Sequence, residues 1–63
     1  MKEKFISYMQ EVGIRYALTF AKYEGIKLAV VQLWIQQAEP TTTPEQMADV
    51  TWMYNMIHLS NKK

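Results

Sequence analysis

The residues of this chain whose types suit chemistry are His58 and the carboxylate pair Glu45 and Asp49. Histidine is the side chain most often used for general acid–base work, and it needs a partner poised beside it. No carboxylate stands three or four positions from His58, and the nearest acidic residue along the chain is Asp49. At the edge of an apolar stripe, His58 reads as a boundary residue. Glu45 and Asp49 are spaced to share one side of a helix and to hold a hard cation weakly. Near a helix start, such acids more simply complement the positive end of the dipole. The sequence has no glycine-rich phosphate loop, metal-ligand spacing or nucleophile motif. Cysteine is absent, so neither a disulfide nor a thiolate metal site can form. Two glycines in 63 residues leave little material for a cleft. The expectation is a non-enzymatic protein with no cofactor, no metal and no small-molecule substrate.

The elements that would carry these residues follow from periodicity. Over residues 3–24, Phe5, Met9, Val12, Tyr16, Phe20 and Tyr23 recur at intervals of three and four, while Lys4, Glu11, Arg15 and Lys22 take the opposite face. That is the helical period. The stripe keeps its phase across Gly13, which predicts one long helix with those aromatics and methionines as its core face. Gly25 then supplies a left-handed cap, with Ile26 as its apolar contact. Residues 26–38 predict a central helix. In it Ile26, Leu28, Val30, Val31, Leu33, Trp34 and Ile35 spread over about 200° of circumference, twice what a surface helix needs. Lys27 interrupts that arc and reads as a stem reaching back to solvent. Pro40 stops this helix. Thr43, Pro44 and Gln46 then spell an N-cap, a first-turn proline and the reciprocal partner of a capping box, opening a third helix over 44–60. The expected fold is all-α: a three-helix bundle in one small domain spanning residues 1–63.

Composition bounds what such a bundle does. Seven basic and six acidic residues leave a net charge of +1, too balanced for bulk attraction to nucleic acid or membrane. The N-terminus lacks the apolar core of a signal peptide. The longest apolar run is about half of the ~20 residues a spanning helix needs. These features, with the absence of cysteine, predict a cytoplasmic chain that does not enter membranes. A chain this short buries only ~60% of the surface its unfolded form exposes. With no disulfide or metal to staple it, oligomerisation or docking is the remaining support. The third helix shows where. One stripe, Met47, Val50, Tyr54 and Ile57, suffices to face a bundle, yet a second stripe, Trp52, Met56 and Leu59, lies almost opposite. Spacing of i, i+4 and i+7 is how a helix presents anchors to a groove, and tryptophan and methionine are enriched at interface cores. Trp52, Met56 and Leu59 are therefore the expected partner-binding residues, with Leu28 and Leu33 next. The partner is another protein or a second copy, in a homodimer or larger homo-oligomer, and the role is that of an adaptor, inhibitor or accessory subunit.

A second reading comes from Phe20-Ala21-x-x-x-Gly25-Ile26, followed by Val31 and Trp34. This segment partly resembles the helix-turn-helix of small Cro-type repressors. The resemblance covers about fifteen residues and implies a DNA-binding regulator using residues 15–36, with Arg15, Lys22, Lys27, Gln32 and Gln36 toward nucleic acid. The sequence departs from that pattern where Glu24 replaces an apolar residue. Leu28 and Leu33 fall where base edges would be read, a task for amide, hydroxyl or basic side chains.

Overall fold

The computed structural model describes residues 1–58. Among them are four helices and no strand: α1 Lys2–Glu11, α2 Ile14–Tyr23, α3 Leu28–Ala38 and α4 Pro44–Met56. The expected single helix over residues 3–24 is thus two, and the bundle has four helices rather than three. Gly13 is the cause. It holds φ 134° and ψ 159°, a region of backbone space open essentially to glycine alone. The last carbonyl bonds of α1 close on Tyr8, whose oxygen accepts from both Val12 N–H (2.8 Å) and Gly13 N–H (2.9 Å). The chain then restarts in a new direction and α2 turns back onto α1.

The break rephases everything after it. Phe5 remains buried, but Val12, Tyr16 and Tyr23, expected on the core face, are exposed. In their place α2 turns inward Ala17, Leu18 and Ala21, all fully buried. Two alanines one turn apart let α1 come close to α2. Tyr8 of α1 meets Tyr16 and Phe20 edge-on at the seam, each ring centroid 5.0 Å away.

Gly25 behaves as expected. At φ 77° it closes α2 with a double cap, Gly25 N–H to Lys22 O (3.1 Å) and Ile26 N–H to Ala21 O (2.9 Å). That cap consumes Ile26, and Lys27, extended at ψ 152°, becomes the N-cap, so α3 starts at Leu28 rather than residue 26. The Thr43 capping box forms as the sequence predicts. Gln46 N–H donates to Thr43 Oγ1 (3.1 Å), and Thr43 N–H donates to Gln46 Oε1 (2.9 Å). At its far end α4 stops at Met56, short of the expected residue 60. In a continuing helix the Tyr54 carbonyl would accept from His58. Here that carbonyl accepts from the Lys22 ammonium at 2.7 Å and from Ile57 N–H at 3.4 Å, and Ile57 turns extended.

The helices form a ring. α1 and α4 each pack against both α2 and α3, and neither the α2–α3 pair nor the α1–α4 pair makes comparable contact. At the centre lie Phe5, Ala17, Leu18, Ala21, Val31, Ile35 and Val50, at least one from each helix. Trp34 leans on Phe5 with ring centroids 5.7 Å apart. In such a ring each helix hides only one side. The wide apolar arc of α3 therefore leaves Val30 and Leu33 exposed.

A Cβ at Gly13 would meet no atom within 4 Å, so glycine is required there by backbone conformation and not by space. Gly13→Ala is expected to lower unfolding free energy by about 1–3 kcal/mol. A D-alanine at the same position, whose backbone map is the mirror image, should cost nothing. Urea unfolding of synthetic chains followed by circular dichroism measures both. Equal losses for the two alanines would show that the backbone argument is wrong.

Candidate interaction surface

The outer face of α4 begins with what the helix must bury. Val50 faces the core while Met47, Met53, Tyr54 and Ile57 are half-buried, which aims Trp52 and Met56 away from the ring. Trp52 is 60% exposed and Met56 52%. Both line a hollow of about 320 Å³ between α4 and α2, together with Arg15, Thr19, Met53 and Ile57. A second hollow of about 330 Å³ adjoins it and shares Met53. Its remaining lining is Met9, Ile14, Ile35 and Val50 on the apolar side and Glu39, Thr42, Gln46 and Asp49 on the polar side. A third, of about 220 Å³, shares Thr19 and is walled by Tyr8, Tyr16, Phe20 and Tyr23. Shared lining residues link the three: Met53 joins the hollow with the acidic residues to the one with Arg15, and Thr19 joins that one to the aromatic hollow.

The face is held by polar ties behind it. The Lys22 ammonium, half-buried, caps the C-terminal end of α4 at Tyr54 O and lies 4.8 Å from the centroid of the Tyr54 ring. A cation there opposes the negative end of the helix dipole. The Tyr54 hydroxyl in turn donates to Ile26 O at 2.6 Å, fastening α4 to the α2–α3 turn. Gln32 Nε2 donates to Thr51 Oγ1 at 2.7 Å, tying α3 to α4.

Of the expected partner-binding residues, Trp52 and Met56 share this face. Leu33 is exposed and Leu28 half-buried on α3, and neither lines the three hollows. Leu59 lies outside the described residues. Of the residues assigned to DNA in the second reading, Arg15, Lys27 and Gln36 are exposed. Lys22 and Gln32 are engaged within the chain as described, and the two helices that would form the motif lie across the ring from each other. Sequence reasoning missed the contribution of α2: Arg15 and Thr19 join the α4 anchors, and Tyr16 and Tyr23 wall the hollow beyond Thr19, because Gly13 rephases the helix. The signal available was the run Ala17, Leu18 and Ala21, a narrow small-residue face that competes with the aromatic stripe.

His58 is exposed. Among the described residues no three of His, Asp and Glu come together in a way that would hold a metal, and no helix is long and apolar enough to cross a membrane. Comparison with protein-family models, with curated proteins and with solved structures finds no match.

Tyr54→Phe keeps the ring and removes the hydroxyl that reaches Ile26 O, so it should cost about 1 kcal/mol. Trp52→Ser, on the outer face, should change the stability of the dilute chain by less than about 0.5 kcal/mol, whereas Leu18→Ala should cost roughly 2–5 kcal/mol. Thermal melts of the three variants give the ranking. A Trp52→Ser loss comparable to that of Leu18→Ala would place the indole in the core.

Proposed function

We propose that this protein acts by protein contact rather than catalysis, as an adaptor, inhibitor or accessory subunit, and that it docks or self-associates through the α2–α4 face. The observation that carries this reading is the exposure of Trp52 and Met56 side by side on a furrow. Large apolar groups gathered on the surface of a small domain mark partner sites. A tryptophan, a methionine and an arginine together match the composition of interface cores. The lack of cysteine and the small core support the same reading, since association is the remaining way to stabilise so short a chain. A chain without cysteine also suits the reducing cytoplasm, where we place its action.

The test is capture on tagged protein from the source cell, with and without nuclease, comparing the native chain with Trp52→Ala, Met56→Ala, Lys27→Ala and Gln36→Ala. The expected outcome is capture that survives nuclease, falls at least tenfold in the first two variants, as hot-spot truncations do, and is unchanged in the last two. Nuclease-sensitive capture that depends on Lys27 and Gln36 would overturn the contact reading in favour of DNA.

A further inference from the structure

We infer that the α2–α4 face pairs with the same face of a second copy of this chain, about a two-fold axis beside Met53. This rests on the contact reading above and adds the occupant. The two larger hollows lie next to each other and have Met53 in common. One is lined by Met9, Ile14, Ile35 and Val50 and also by Glu39, Thr42, Gln46 and Asp49. The other presents Arg15 beside the protruding Trp52 and Met56. A two-fold rotation about the shared residue exchanges the hollows. It carries the Arg15 of each copy to the acidic residues of the other, and the Trp52 and Met56 of each copy over the other's apolar lining. That is the condition of an isologous interface, in which residue i meets j while j meets i. The charges agree with it: one guanidinium meets two carboxylates at each of two equivalent places, and a chain of net charge +1 repels its twin little.

The experiment is sedimentation equilibrium of the full chain up to about 1 mM, where weak dimers register, together with two charge reversals on exposed residues. The native chain should dimerise. Arg15→Glu alone and Asp49→Arg alone should each weaken the dimer about tenfold or more, because like charges then face each other twice. An equimolar mixture of these two variants should recover the dimer, since the mixed pair restores opposite charges at both contacts. Circular dichroism confirms that each variant is folded. A chain that stays monomeric throughout, a dimer indifferent to both reversals, or a mixture no tighter than its components overturns the pairing. Each failure is separable from failure of the contact reading. If Trp52-dependent capture persists without the pairing, the face belongs to a foreign partner. If capture is independent of Trp52 as well, both readings fall.

Discussion

At φ 134° and ψ 159°, Gly13 holds a backbone that an L-side chain pays heavily to adopt, and the architecture follows from that one residue. An unbroken helix over residues 3–24 would extend roughly 30 Å in one direction. Broken there, the segment becomes two helices that cover each other. Glycine takes that conformation without strain, and the break permits packing that brings Ala17, Leu18 and Ala21 fully out of water. The same event pushes Tyr16 and Tyr23 to the surface, so the break that makes the core also makes half of the furrowed face.

The ring is closed by polar contacts placed where helices end. Lys22, near the C-terminus of α2, satisfies a late carbonyl of α4, and the hydroxyl of that residue, Tyr54, satisfies a carbonyl in the α2–α3 turn. The terminal carbonyls of a helix have no partners within it, so a neighbour that supplies a cation both ends the helix and fixes its position. This also explains why a lysine that shares a sequence face with Lys4 and Arg15 is no longer available as a surface charge. Its ammonium is used inside the fold, and Arg15 remains as the basic group on the furrow.

With four short helices around seven buried residues, each helix has one covered side and one open side. Leu33, Trp52 and Met56 stand on open sides. On the α2–α4 side Trp52 and Met56 line one hollow with Arg15, and the adjoining hollow, which shares Met53, carries Glu39 and Asp49. That gathering, rather than exposure alone, distinguishes Trp52 and Met56 from Leu33. It is the physical basis for assigning contact to one face of the ring.

The all-helical class, the cap at Gly25 and the Thr43–Gln46 box were legible in the sequence because each depends on residues within one or two turns of chain. A glycine at a helix end, or a threonine and glutamine three apart, carries its own geometry. The outward position of Trp52 and Met56 was legible as well, since a helix has only one face to give a small core. What local pattern left undecided was Gly13, where a helix interior and a break differ by little in propensity. The choice turned on whether Ala17, Leu18 and Ala21 or the aromatic stripe faced inward, and that depends on α1, α3 and α4 all at once. The end of α4 at Met56 was equally out of reach, because the lysine that caps it stands thirty-two residues earlier in the chain. The sequence by itself determined the local elements and their caps. Only the tertiary structure decided their number, their phase and the face they share, because those follow from burial across the ring and from a single backbone position that glycine alone can occupy.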